Sequence, residues 1–369
     1  MTGFSKTALL VAAAVLTASS CGFKHAKYEN PITKDTQQPD KVLYDKAIKD
    51  LEKGRYEIAR LTLNTLINTY DSSEYLAKAK LAVADSWYRE GGAGGMAQAE
   101  AEYKDFILFY PTMEEAAESQ FKIAMIHFGG MDKSDRDPNQ ALRAEQEFRQ
   151  VLVAYPNSKY APMAEQRLRE TQETLADAEM KTGTFYDQRG AWASAANRFS
   201  GLVAQYPLYS HADEALWREA NDYSRFGTRF RPRAGEAYQK IVRDYPLSKY
   251  TDLAKARLKE LEMAVPDADP QALAHMKYEE ENATKAGIAR KTFGFAISTP
   301  DHTPAAKSGS PQMNNPKPSI PVNVPTPTEA GTFAGDITVA PAATADAPAT
   351  TPATPAPDAS KGKQQNNKK

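Results

Sequence analysis

The sequence predicts an all-α fold, a solenoid of five stacked helical hairpins with a closing helix. Three observations predict it. Tyrosine stands immediately before a turn residue in five places, with Tyr70, Tyr110, Tyr155, Tyr206 and Tyr245 preceding Asp71, Pro111, Pro156, Pro207 and Pro246. Twelve residues before each turn stands an alanine: Ala59, Ala99, Ala144, Ala195 and Ala234. Between them lie large anchors, Leu63, Tyr103, Phe148, Phe199 and Tyr238 eight before the turn and Leu66, Phe106, Val151, Leu202 and Ile241 five before it. Steps of four, three and four residues place all four positions on one stripe of an α-helix. The alanine permits close approach of a neighbouring helix and the anchors fill the space beyond it, so each copy is half of a hairpin that must stack to bury itself.

Taken in order, the first pair reads Lys41 to Lys53, a turn at Gly54, then Arg55 to Tyr70. The second and third pairs break at Gly91 to Gly95 and at Gly129 to Asp137, where glycine and aspartate clusters interrupt the period. Ser158 to Arg189 holds one glycine, Gly183, and one early proline, Pro162, and reads as a long helix opening the fourth pair. From Tyr186 the spacing Tyr186, Gly190, Ala195, Phe199, Pro207 reproduces that of a tetratricopeptide repeat without a gap. A closing helix is expected from Lys249, and Gln271 to Ala286 has helical character. Successive turns lie 40, 45, 51 and 39 residues apart, against about 34 for the minimal tetratricopeptide repeat. Additions are therefore expected in loops and longer helices.

Outside the repeats the chain changes character twice. Residues 1–20 read as a secretory signal: one early lysine, Lys6, then nine apolar residues from Ala8 to Leu16, too few to span a bilayer. Cys21, the only cysteine, stands at the cleavage position, and one thiol cannot build a disulfide framework. From Thr299 onward the chain carries 13 of its 24 prolines and one aromatic residue, Phe333. Such a composition buries too little apolar surface to offset its ordering entropy, so disorder is expected over 299–369. The resulting division is a signal over 1–20, a linker over 21–40, the repeat domain over 41–263, a further helix within 264–298 and the tail over 299–369.

Chemistry-bearing patterns are sparse. The five histidines, His25, His127, His211, His275 and His302, are scattered, with no two at ligand spacing, so no metal site is expected. Glu114, Glu115 and Glu118, like Glu279 to Glu281, read as solvated helix faces or helix N-terminal charge. Gly91 to Gly95 lacks the Lys-Ser/Thr of a phosphate loop and reads as a flexible inter-helix turn. A net charge of −1 gives no support for a nucleic-acid partner. No catalytic residue and no cofactor is assigned, and a stacked helical array without a convergent polar site is a binding surface by default.

Leu16-Thr17-Ala18-Ser19-Ser20-Cys21 resembles a bacterial lipobox, departing from its strongest form at Ala18. The resemblance implies that Cys21 is lipidated and becomes the first mature residue, several acyl chains such as palmitate then holding a soluble domain firmly at a membrane. The alternative is an ordinary cleaved signal with an incidental cysteine. Gly22, in place of aspartate, resembles lipoproteins sent to the outer membrane.

Two further stretches carry a family resemblance. Asp132-Lys133-Ser134-Asp135-Arg136-Asp137-Pro138, and Tyr186-Asp187-Gln188-Arg189-Gly190-Ala191-Trp192 running on to Asn197-Arg198-Phe199, resemble the BamD family, lipoproteins of the outer-membrane β-barrel assembly machine. On its own chemistry the first stretch is a turn in which Asp137 accepts helix N–H groups and Pro138 fits the first helical position, while Arg136 either does nothing more or ties the loop to a neighbouring helix. Asp132 and Asp135 belong to the same loop. Arg198 lies off the apolar stripe, and without the resemblance it reads as a solvated helix arginine.

The resemblance implies an adaptor at the periplasmic face of the outer membrane, anchored by lipid and associated with other assembly lipoproteins. Its first three repeats would receive the C-terminal signal of unfolded outer-membrane proteins, with Tyr44, Tyr75 and Tyr88 as candidate aromatic contacts. Its last two would dock the central subunit, BamA, through Asn197 and Arg198. On its own chemistry each tyrosine reads first as a hairpin packing residue. The competing reading is a Tol–Pal-associated periplasmic repeat protein that coordinates envelope constriction, since such repeats also carry the phrase of Tyr155-Pro156-Asn157-Ser158-Lys159-Tyr160. A wall-acting enzyme would need an acidic catalytic pair, and no candidate stands out.

Overall fold

The computed structural model describes residues 31–32, 37–283 and 299–314. Residues 1–20, Cys21, most of the linker over 21–40 and residues 315–369 lie outside the described residues. Twelve α-helices and no strand occur among the described residues. Five hairpins follow one another: α1 (Pro39–Glu52) with α2 (Tyr56–Thr69), α3 (Leu76–Glu90) with α4 (Gly92–Phe109), α5 (Glu114–Gly129) with α6 (Asn139–Ala154), α7 (Ala161–Gln188) with α8 (Trp192–Gln205), and α9 (Ala212–Arg225) with α10 (Arg231–Asp244). Helix α11 (Thr251–Glu260) packs on α10 and closes the array, and α12 (Pro270–Glu281) follows. From α1 to α11 each helix packs chiefly against its neighbours in sequence, as a tetratricopeptide solenoid requires, while α12 touches α10.

The stripe defined by the sequence is the core. Ala59, Ala99, Ala144, Ala195 and Ala234 are fully buried, as are Leu63, Tyr103, Phe148 and Phe199. The turns repeat as faithfully. In all five copies the tyrosine closes the second helix, its N–H donating to the carbonyl four residues back at 2.7–3.0 Å: Tyr70 to Leu66, Tyr110 to Phe106, Tyr155 to Val151, Tyr206 to Leu202 and Tyr245 to Ile241. Its own carbonyl then accepts from the residue three further on, Ser73, Met113, Ser158, Tyr209 or Ser248, at 3.0–3.2 Å. The tyrosine is thus where orphan helix carbonyls are satisfied and the chain reverses.

Boundaries shift in places from the expectation. Gly91 and Gly92, at φ 75° and 71°, turn the second hairpin, and α4 begins at Gly92, so that Gly94 and Gly95 lie in its first turn instead of a flexible loop. Pro138 precedes α6 and does not begin it. The long helix is realised as α7, 28 residues. On it Gly183 lies against Phe199 of α8, where an added Cβ would come within 2.5 Å of the ring.

The largest departure concerns the start of the tail. Residues 299–314 lie against the solenoid, with Pro300, Ala305, Ala306 and Pro311 buried, although their composition argued for disorder. Main-chain hydrogen bonds to polar side chains and the stacking of His302 on Phe128, at 4.8 Å between centroids, seat this segment.

Candidate functional site

Three surfaces carry the residues singled out in the sequence. The first lies at the N-terminal end, where a cleft of about 400 Å³ is lined by Tyr44, Ile48, Lys78, Leu81, Asp85 and Arg89 among others. The Tyr44 ring lies on that of Tyr75, centroids 5.2 Å apart and planes 32° apart. Burial, then the charge of Asp45, pushes the Tyr44 hydroxyl above its ordinary pKa, so it is a neutral donor in a cleft lined by both apolar and charged side chains. Tyr88 does not share this cleft. It meets Tyr103 edge-on at 6.3 Å and packs on the cluster of Ala84, Ala99, Tyr103 and Ile123, because its position on α3 turns it toward α4 of its own hairpin and toward α5.

The second surface is the loop between α5 and α6. Asp137 accepts the Asn139 N–H at 3.0 Å, as a turn before a helix requires. Arg136 pairs within the loop with Asp132 at 3.4 Å and does not reach a neighbouring helix. Ser134 makes that link: its hydroxyl donates to Asp177 on α7, and Lys181 donates back to Ser134 at 2.6 Å. Burial works to raise the Asp177 carboxyl, but Ser134, Lys181 and the Tyr209 hydroxyl hold it below the usual range. Nothing in the local pattern marked Ser134, since its partner is 43 residues away.

The third surface adjoins the second. A cleft of about 640 Å³ runs between the loop and the fourth hairpin, lined by Asp135, Arg136, Leu142, Glu179, Phe185 and Tyr206 among others. Glu179 on its wall accepts two hydrogen bonds from Arg198, the shorter 3.0 Å, and both side chains remain well exposed, at 48% and 38%. Arg198, 62 residues beyond Arg136 in sequence, is thus tied to this cleft through Glu179, which lines it together with the loop. Asn197 turns inward, its Oδ1 buried with no hydrogen-bond partner among the described residues. Behind this surface Asp187 accepts from Arg218 at 3.4 Å and Arg225 at 3.2 Å, and Arg225 lies over Trp192 at 5.0 Å. The stretch 186–192 thus ties the fourth hairpin to α9.

Among the described residues no group of three or more His, Cys, Asp or Glu side chains is placed to hold a metal ion, and no helix is long and apolar enough to cross a membrane.

Comparison with known families decides what these surfaces belong to. Residues 36–234 match the family model YfiO, described as outer membrane lipoprotein, which is more than half of the 369-residue chain. The chain belongs to this family, the BamD lipoproteins. Within the BamD family it is similar to an outer membrane protein assembly factor BamD from Xylella fastidiosa, 28% identical over 244 residues, which span 63% of this chain and 82% of the relative. A relative of the same name from Vibrio cholerae is 29% identical over 198 residues, 51% of this chain and 81% of its own. Another, from Rickettsia prowazekii, is 25% identical over 248 residues, 67% of this chain and 95% of its own. The match to the BamD model takes in all three surfaces.

Proposed function

We propose that this chain is a non-catalytic adaptor in outer-membrane protein assembly, held at the periplasmic face of the outer membrane by lipid on Cys21. The family match over 36–234 carries the reading, supported by relatives named assembly factors. In it, the slot at Tyr44 and Tyr75 takes the C-terminal signal of an unfolded outer-membrane protein. An aromatic side chain entering there gains ring contact with Tyr44, and Lys78 and Arg89, which line the slot beside Glu52, Asp85 and Glu115, are its two cations able to pair with a terminal carboxylate.

The cleft bordered by the 132–137 loop and by the Arg198–Glu179 pair docks the central, BamA-type subunit. Arg198 suits this task because its fork is exposed and its partner Glu179 is half-open, so a carboxylate on the incoming subunit can replace Glu179 at small cost.

A labelled peptide ending in an aromatic residue tests the cargo half by fluorescence anisotropy. Tyr44→Ala and Tyr75→Ala each weaken it roughly tenfold, the equivalent of about 1.4 kcal/mol, while Tyr88→Ala leaves it within about twofold. Equal binding by the wild type and the Tyr44 variant contradicts the assignment.

A further inference from the structure

Helix α7 carries a polar row that neither docking surface uses. Gln166, Arg169 and Gln172, three residues apart along the helix, each donate to a main-chain carbonyl of the segment 299–314: Gln166 to Ala306 at 3.4 Å, Arg169 to Gly309 at 2.8 Å and Gln172 to Gln312 at 2.7 Å. The sequence separation is 140 in every case, so segment and helix run in one register, in the same direction. The last rung is reciprocal, the Gln312 N–H donating to Gln172 Oε1 at 3.2 Å. Arg149 adds a second bond to the Gln312 carbonyl at 3.0 Å.

On the other side of the segment Glu279 of α12 accepts the N–H groups of Lys307 and Ser308, each at 2.8 Å, and the Ser308 hydroxyl at 2.6 Å. Glu279 is therefore a clamp and not a solvated face. Although burial works to raise it, those Ser308 and Lys307 donors hold its carboxyl below the usual range.

Recognition in this ladder is of main chain. Along the ladder the side chains that the segment buries are small or compact, Ala305, Ala306 and Pro311, while ahead of it Pro300 is buried and His302 stacks on Phe128 with ring centroids 4.8 Å apart. Gly309, at φ +85°, passes so close to Leu208 that a Cβ would meet it at 2.9 Å. A ladder that reads carbonyls at every third residue and excludes bulk selects a class of polypeptide, small-residue segments rich in Ala, Ser, Gly and Pro, and not one sequence.

We propose that the α7 ladder is a peptide-binding site whose resident occupant, residues 299–314, is a displaceable tethered ligand, and that a small-residue segment of another polypeptide takes its place. Tethering gives the resident an effective concentration of order mM, so an incoming segment competes only when it is itself held nearby or when the resident is weakened. This site is separate from the Tyr44 slot and does not depend on the assembly reading.

Fluorescein-labelled peptide of sequence 299–314 is titrated into the full chain, into Gly309→Val, and into Gly309→Val combined with Gln172→Ala. Valine at 309 meets both the positive φ and the Leu208 contact, and it lies outside every helix, so helical circular dichroism remains that of the wild type. Hydrogen exchange at Lys307, Ser308 and Gln312 is followed in parallel. The proposal expects those amides to lose protection in Gly309→Val, that variant to bind the peptide at least about tenfold more tightly than the wild type, and Gln172→Ala to reverse the gain. Retained protection, no gain in binding, or a gain indifferent to Gln172→Ala overturns it and makes the segment a fixed part of the fold.

Discussion

Gly183 of α7 faces the Phe199 ring of α8 at a separation that leaves no room for a methyl group, 2.5 Å from an added Cβ to the nearest ring carbon. Two helices of the fourth hairpin approach here because one lacks a side chain. Gly183→Ala is expected to destabilise the chain by about 1–3 kcal/mol, since Phe199 is fully buried and cannot retreat. Gly201→Ala on α8, where a Cβ meets nothing within 4 Å, is expected to stabilise by about 0.5–1 kcal/mol. Urea denaturation of the two variants checks the opposite signs.

Two carboxyls in the fifth hairpin set a pH dependence. Burial pushes Glu219 up to about 7, and burial followed by the charge of Asp187 pushes Asp222 up to about 7. A carboxyl whose folded pKa is raised binds its proton more tightly in the native state. Its stabilising contribution is therefore complete below the unfolded value near 4 and is lost as pH rises through about 7. Glu219→Gln should be more stable than the wild type at pH 8 by an amount on the order of 1 kcal/mol, read as a higher melting temperature, and the advantage should vanish at pH 4. An advantage that persists unchanged at pH 4 rules out titration of Glu219 as its cause.

The Arg198–Glu179 pair is expected to contribute little to folding, because both groups remain open to water. A double-mutant cycle with Arg198→Ala and Glu179→Ala should give a coupling energy below about 1 kcal/mol. A coupling of several kcal/mol would make the pair structural and remove the reason for its exposure.

The link between Ser134 and α7 predicts a local effect. Ser134→Ala removes the donor to Asp177 and the acceptor for Lys181, so the loop 132–137 should exchange its amide hydrogens faster while global stability falls by only about 1 kcal/mol. Mass-spectrometric hydrogen exchange of the loop peptide measures it, and an unchanged rate contradicts the anchoring role.

What the sequence made legible follows from distance along the chain. The Ala59 to Leu66 stripe and its four later copies are local, repeat at helical spacing and end in the same tyrosine cap, so the hairpins could be read residue by residue. The long α7 followed from the lack of breakers between Pro162 and Gly183. Contacts that join distant residues left no such pattern: Ser134 with Asp177, Arg198 with Glu179. The segment 299–314 misled for a sharper physical reason. Disorder was argued from missing apolar bulk, yet Gln172, Arg169 and Glu279 hold its main chain, and side-chain composition says nothing of main-chain donors and acceptors. Membership of the first three repeats puts Tyr88 beside Tyr44 and Tyr75 in sequence terms, but helical phase turns it onto Tyr103.

The adaptor account is tested most directly by a photoreactive residue at position 198 of the full chain, crosslinked in intact envelopes, with Cys21→Ala run beside it. The account predicts a strong adduct to the central β-barrel assembly subunit, and loss of the Cys21→Ala protein from the membrane fraction. Recovery of Tol–Pal components at position 198, with no adduct to the assembly subunit, would contradict it.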